Sequence, residues 1–143
     1  MSPAEAHALA EHLEGADLRR TRAGVRNALA DTGVAALAED ARLVSIASDA
    51  LGAPAFAYKA TLFDKSRRSN WLDAMVQSIP AVDCVVGRGG LAVMHPLLVH
   101  ASSKAADERP RRVVHVEYTV TRELEGGLEL AVVDREGTRP GTS

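Results

Sequence analysis

Near residue 54 the hydrophobic pattern of this chain changes from a helical period to a strand period. Between Asp40 and Gly52 an apolar stripe recurs at helical spacing, and from Phe56 to Phe63 the residues alternate with a period of two. The helical stripe consists of Leu43, Val44, Ala47, Ala50 and Leu51. Because the helical pattern comes first and the strand pattern follows it, the sequence predicts helices followed by antiparallel strands. We therefore expect an α+β or mainly β fold.

Local signals place the helices. Ser2 is a candidate N-cap, Pro3 suits the first helical position, and Glu5 completes a capping box, so a first helix is predicted from here to Gly15. Residues 31–51 are expected to form one or two further short helices, the last one capped by Asp40 and closed by Gly52.

The remainder of the chain reads as short strands separated by turns. Gly87–Gly90 predicts a hairpin turn, Pro96 predicts an edge position or a bulge, and Gly126-Gly127 predicts a second turn. The predicted strands are 56–63, 82–86, 91–94, 97–99, 112–120 and 128–133. We expect one domain over 1–143, with a helical part at 2–52, a β core at 54–134 and a flexible tail at 135–143.

Composition narrows the classes of partner. A chain of 143 residues with 46% hydrophobic and 25% charged residues fits one globular domain, and its net charge of -2 argues against nucleic acid and anionic membranes as partners. No apolar run is long enough to span a bilayer. A single cysteine, Cys84, excludes an internal disulfide, so we expect a cytoplasmic protein in which Cys84 is a small core residue.

Residues 100–111 contain an imidazole, a hydroxyl and a guanidinium that could form a binding site. His100 follows an apolar run, Ser102 lies just beyond it, and Arg111 begins the next predicted strand. An imidazole can bind a metal, and a hydroxyl with a guanidinium can bind a small dicarboxylate. On spacing alone, a strand-end histidine and a group of solvated arginines is the simpler interpretation.

Three segments resemble the bacterial branch of the phytanoyl-CoA dioxygenase family. The residues that carry the resemblance are 23–27, 60–71 and, most specifically, 86–118. The resemblance implies an oxygenase that uses Fe(II) and 2-oxoglutarate to hydroxylate a small organic substrate, on a double-stranded β-helix of the jelly-roll, cupin-like type.

Within that resemblance each residue has an implied role. His100 matches the second metal histidine of the family. Arg111 matches the arginine that pairs with the distal carboxylate of 2-oxoglutarate, and Ser102 matches the hydroxyl that assists it. Lys65 and Asn70 are candidates for contact with cosubstrate or substrate.

The sequence departs from the family pattern after Asn70-Trp71. The family continues there into a His-x-Asp pair that completes the facial triad of iron ligands, and this sequence contains no His-x-Asp. By the same comparison, the strands between that pair and the glycine-rich turn are missing from this sequence, so the β-helix is predicted to be partial. Conceivable substitute ligands are His95, His115, Asp73 and Asp83, each of which is more simply a structural or solvated residue.

Two functions follow from these observations. The chain is either a shortened oxygenase with impaired or no activity, or a noncatalytic remnant that serves as a binding or dimerisation module. An incomplete barrel exposes strand edges and apolar core, which predicts a homo-oligomer. Strand alternation predicts that Arg111 faces the interior, near Glu117 or an aspartate, and that Arg112 points to solvent or to the opposite face.

Overall fold

The computed structural model describes residues 1–18, 24–65, 80, 82–100, 111–124 and 126–130. In this part of the chain, helices come first and antiparallel strands follow, which confirms a mixed α+β class. The helices are α1 (Pro3–Gly15), α2 (Thr32–Ala38) and α3 (Ala41–Leu51), with a 3-10 turn at Ala28–Ala30. The strands are β1 (Phe56–Lys65), β2 (Arg111–Thr119), β3 (Glu123–Leu124) and β4 (Leu128–Glu129).

The chain divides into two compact units. Unit 1 comprises Met1–Ala16 and Asp64–Arg112, and unit 2 comprises Asp17–Phe63 and Val113–Ser143. Each unit is therefore built from two separate stretches of sequence.

Capping starts each helix where the sequence predicts it. In α1 the Ser2 hydroxyl accepts from the Glu5 N–H at 3.2 Å, and the Glu5 carboxylate accepts from the Ser2 N–H at 2.5 Å. Asp31 caps α2 by accepting from the Val34 N–H at 3.0 Å. These bonds satisfy amide donors that have no partner within a helix, so the predicted helix starts are confirmed.

Helix α3 is held at both ends. The Asp40 side chain accepts from the Arg42 N–H at 2.9 Å, and Gly52 takes a left-handed conformation with φ +71°. A residue with a Cβ adopts that conformation at a cost, so glycine is the favoured closing residue. The predicted boundaries of this helix are confirmed.

The core of unit 2 is small and aliphatic. Leu62 and Val34 are fully buried, and Leu62 forms an antiparallel bridge with Val25 through two 2.9 Å backbone hydrogen bonds. The other buried apolar residues of this unit are Ala28, Ala38, Ala47, Ala55 and Ala60. Because each alanine buries little area, the larger side chains of Val25, Val34 and Leu62 account for much of the buried apolar surface of this core.

Among the described residues the strands form two sheets of two strands each. In the first, β1 pairs with β2, and contacts from Tyr58 to Glu117 and from Asp64 to Arg112 run in opposite directions along the two strands. In the second, β3 and β4 form an antiparallel hairpin whose turn contains two glycines with positive φ. The predicted strands over 56–63 and 112–120 are confirmed, and β4 confirms the start of the predicted strand at 128.

The predicted hairpin between 82 and 99 is wrong. Residues 82–100 belong to neither a helix nor a strand, although turns do occur at Gly87–Gly90 and after His95. A strand requires a ladder of backbone hydrogen bonds, and Val82–Val86 make none with other described residues. Cys84 is exposed, so its predicted place in the core is also wrong.

None of the described helices is both long enough and apolar enough to cross a bilayer.

Candidate functional site

The structure places three of the predicted site residues. His100 is exposed, with its Nδ1 atom 2.8 Å from the Leu98 carbonyl oxygen. Arg111 is the half-buried first residue of β2, and Lys65 is the last residue of β1. Their assigned roles toward iron and 2-oxoglutarate stay predictions.

The other predicted site residues, Ser102 and Asn70, lie outside the described residues, as does the substitute ligand Asp73. Two further substitutes, His95 and Asp83, are exposed.

The described residues contain no group of three or more histidine, cysteine, aspartate or glutamate side chains placed to hold a metal ion. His115 and Glu117 share one face of β2 because they are two positions apart, which supplies an imidazole and a carboxylate. The three-ligand iron set that the resemblance implies is therefore not assembled within this part of the structure.

Glu117 is the centre of a polar cluster that the sequence analysis did not find. The Tyr58 hydroxyl donates to Glu117 Oε2 at 2.8 Å, and Lys59 Nζ lies 2.5 Å from Glu117 Oε1. We call Tyr58, Lys59 and Glu117 the Glu117 cluster. Because β1 and β2 are far apart in sequence, only the register between the strands brings these side chains together.

The environment keeps Glu117 ionised. Burial by itself would raise the pKa of this carboxyl, but hydrogen bonds from Lys59 and Tyr58 and the nearby charge of Lys59 outweigh burial, so the pKa is lowered from 4.5. Burial and the hydrogen bond to Glu117 raise the pKa of Tyr58. Both carboxylate oxygens already have a partner, so the cluster ties two strands together rather than presenting a general base.

His115 adds to this face of the sheet. Its ring meets the Phe63 ring edge to face, with centroids 5.1 Å apart and an interplanar angle of 89°. Its charge also favours the ionised form of Glu117 and so helps to lower the pKa of that carboxyl. The interpretation of His115 as a structural strand residue agrees with this packing.

Arg112 carries the second polar cluster, which lies in unit 1. Its Nη1 atom donates to Glu14 Oε1 at 2.8 Å and to the Ala10 carbonyl at 3.3 Å, and its Nε atom lies 3.6 Å from Asp64 Oδ2. The side chain is only 16% exposed. We call Arg112, Glu14 and Asp64 the Arg112 cluster; it holds α1 against the ends of β1 and β2. Of the two alternatives predicted for Arg112, solvent exposure is wrong.

The alternation of faces along β2 gave one indication of the Arg112 cluster in the sequence. It places Arg112 on the face of β2 that also carries Val114 and Val116, and an arginine in line with apolar residues needs a partner. The identity of that partner, on a helix at the other end of the sequence, has no local signature.

The described stretch 82–99 carries a concentration of exposed apolar side chains, and we call it the apolar segment. Val82 and Val85 are each 90% exposed, and seven further large apolar residues of this stretch are exposed. These are Val86, Leu91, Val93, Met94, Leu97, Leu98 and Val99. So many exposed apolar side chains in one stretch are unusual on the surface of a monomer and are typical of an interaction surface.

Comparison of the chain with models of protein families, with curated proteins and with solved structures finds no match.

Proposed function

We propose that this chain is an internally shortened protein of the phytanoyl-CoA dioxygenase type, acting in the cytoplasm as a noncatalytic self-association module. Its β part would be a partial double-stranded β-helix of the jelly-roll, cupin-like type. The observation that carries the proposal is the apolar segment, whose large side chains are left in water in the single chain.

Exposure on this scale favours association. Each apolar side chain moved out of water contributes roughly 25 cal/mol per Å² of buried surface, and nine such side chains lie within the segment. No described helix or strand covers them. Burial against another protein surface is therefore the natural stabilising step, and a module of this kind requires no bound metal.

The number of iron-binding residues that the sequence retains argues against the oxygenase reaction. Iron(II) of this enzyme class is held by two histidines and one carboxylate, which leaves open positions for 2-oxoglutarate and O2. The sequence retains His100 but has no His-x-Asp pair. A single imidazole competes poorly with water for Fe(II), so we expect weak iron binding and no turnover.

The resemblance at His100, Ser102 and Arg111 supports the alternative function, an Fe(II)- and 2-oxoglutarate-dependent hydroxylase of a small molecule. Under that alternative, Arg111 and Ser102 would bind the cosubstrate carboxylate and orient it toward the metal. The two functions differ in metal content and in oligomeric state.

Two measurements on the full chain test the proposal. Sedimentation velocity over a range of concentrations should show a reversible oligomer. An anaerobic Fe(II) titration, followed by succinate detection with 2-oxoglutarate and O2, should show weak binding and no succinate, with His100→Ala behaving as the wild type. A monomer at all concentrations, or tight stoichiometric iron with succinate release that His100→Ala abolishes, would overturn the proposal.

A further inference from the structure

The apolar segment is large enough to form one side of a stable dimer interface. Its nine large apolar side chains are 38% to 90% exposed, and at about 100 Å² of apolar surface for each fully exposed side chain they present roughly 600 Å² to water. A standard interface buries about 800 Å² per partner, of which about 65%, or roughly 500 Å², is apolar in homodimers. The segment of one chain therefore supplies the apolar area that a homodimer needs.

The composition of the segment also fits an interface between two copies. Asp83 and Arg88 are the only charged side chains in residues 82–99, and depletion of charge is typical of the buried centre of an interface. With one cation, the segment lacks the positive surface that nucleic acid or an anionic bilayer requires. A second copy brings a surface of the same polarity and length, and a two-fold dimer uses the same patch on both copies.

A short run within the segment has a backbone that is available for pairing. Val82–Val86 lie outside every helix and strand and make no backbone hydrogen bond with other described residues. Pro80, which has no N–H to donate, precedes the run, and a turn in which the Gly90 N–H donates to the Gly87 carbonyl at 2.9 Å follows it. Valine favours strands, so residues 82–86 are a template for pairing with another strand.

The turn that follows this run is held in place within unit 1. A Cβ built on Gly89 would lie 2.8 Å from the Met1 carbonyl oxygen, so the turn lies directly against the start of α1. Gly89 is half-buried while its neighbours are exposed. Because one end of the run is fixed by the fold, less conformational entropy is lost when the run is ordered in a dimer.

We propose that residues 82–86 form a strand that pairs antiparallel with the same strand of a second copy of this chain, with Cys84 at the two-fold axis. An axis of this kind places one residue opposite itself, and Cys84 is the central residue of the run. Val82 of each copy then lies opposite Val86 of the other copy. The inference rests on the proposed self-association and adds its partner, its symmetry and its strand register.

Strand alternation and the length of the run select this register. Val82, Cys84 and Val86 share one face, so that face of the paired strands is apolar, and Asp83 lies on the other face with access to water. Moving the axis to Asp83 places two carboxylates opposite each other, which is destabilising. Moving the axis to Val85 leaves only part of each run opposite the other. The axis at Cys84 is the position at which the two runs overlap completely.

Cysteine cross-linking tests the register. Val82→Cys and Val86→Cys, each made in a Cys84→Ser background, place cysteines that lie opposite each other only between different variants. Opposite Cα atoms are about 4.5–5.5 Å apart, within the range of about 4.4–6.8 Å that a disulfide requires, whereas two copies of one variant hold their cysteines roughly 13 Å apart along the strand. With oxidised glutathione as oxidant, an equimolar mixture should form the linked heterodimer at least about tenfold faster than either variant forms a linked homodimer.

The wild type provides a matched comparison. Cys84 is the single cysteine of the chain, and at the axis it should cross-link with its own copy. Val85→Cys in the Cys84→Ser background is also exposed, but its two copies lie diagonally at about 7–8 Å, so it should cross-link more slowly than the wild type. Sedimentation velocity of Cys84→Ser in reducing buffer should show a dimer that forms without any disulfide.

The outcomes separate the two proposals. If the wild type and Cys84→Ser both stay monomeric in reducing buffer, the strand pairing and the self-association are both overturned, and a different protein is left as the occupant of the segment. If a dimer forms but the mixed variants cross-link no faster than the separate ones, the register is overturned and self-association through another arrangement remains.

Discussion

Tyr58 donates a 2.8 Å hydrogen bond to Glu117 across 59 residues of sequence. With Lys59 on the other carboxylate oxygen, this bond joins β1 to β2 by side chains as well as by the backbone ladder. Removing it as Tyr58→Phe should lower the free energy of unfolding by about 1 kcal/mol, because the half-buried carboxylate loses one donor. Urea unfolding followed by circular dichroism measures the change.

A double-mutant cycle isolates this interaction. Tyr58→Phe combined with Glu117→Gln should cost less than the sum of the single changes, with a coupling of about 0.5 kcal/mol or more. Tyr118→Phe is the control, because Tyr118 donates to the Ala38 carbonyl at 2.8 Å and shares no partner with Glu117. Additive behaviour for Tyr58 would contradict the observed bond.

Protonation of Glu117 at low pH should lower the stability of the β1–β2 sheet. The folded state lowers the pKa of this carboxyl from 4.5, so its contribution to stability is present above pH 4.5 and is lost as the pH falls through the folded-state value. Glu117→Gln should therefore flatten the acid limb of stability against pH. Urea unfolding at a series of pH values, compared between Glu117→Gln and the wild type, measures this change.

Both tyrosines should ionise above the ordinary range. Burial raises the pKa of Tyr118 above 10.0, with a further contribution from the charge of Asp40, and burial with the Glu117 hydrogen bond raises that of Tyr58. These are the only two tyrosines in the chain, so absorbance at the tyrosinate band reports both of them. Tyr58→Phe leaves Tyr118 to be titrated alone, and a midpoint at or below 10.0 there would contradict its burial.

The Arg112 cluster should contribute more to the stability of the fold than exposed ion pairs do. Arg112→Met keeps much of the aliphatic contact but removes the donors to Glu14 and the charge beside Asp64, so it should destabilise the protein by about 1–2 kcal/mol. The matched control is Glu11→Gln, which breaks an exposed 3.5 Å pair with His7 and should change stability by less than about 0.5 kcal/mol. Equal effects would mean that Arg112 is solvated.

Gly24 should not tolerate a side chain. Its φ is +107°, and a Cβ would lie 2.0 Å from the Leu62 carbonyl oxygen, which belongs to the Val25–Leu62 bridge. Gly24→Ala should therefore cost about 2 kcal/mol or more. Gly15→Ala, at the end of α1 with open space around it, should be neutral or stabilising, and thermal unfolding compares the two.

The candidate site was only partly accessible to sequence reasoning. The motif around His100 and Arg111 was inferred from a resemblance between runs of neighbouring residues, and its role stays a prediction. The Glu117 and Arg112 clusters could not, since they depend on strand register and on a helix packed from 98 residues away. The sequence shows the charged and polar residues of both clusters, but it does not show which residues they contact.

The sequence by itself determined the elements whose signals are local. The capping box at Ser2 and Glu5, the cap at Asp40, and the alternation in β1 act over a few residues, so each could be located from its neighbours. Only the tertiary structure decided whether 82–99 would become strands and whether Cys84 would be buried. An apolar, β-branched run favours a strand only when another strand offers its backbone, and no described strand of this chain pairs with that run.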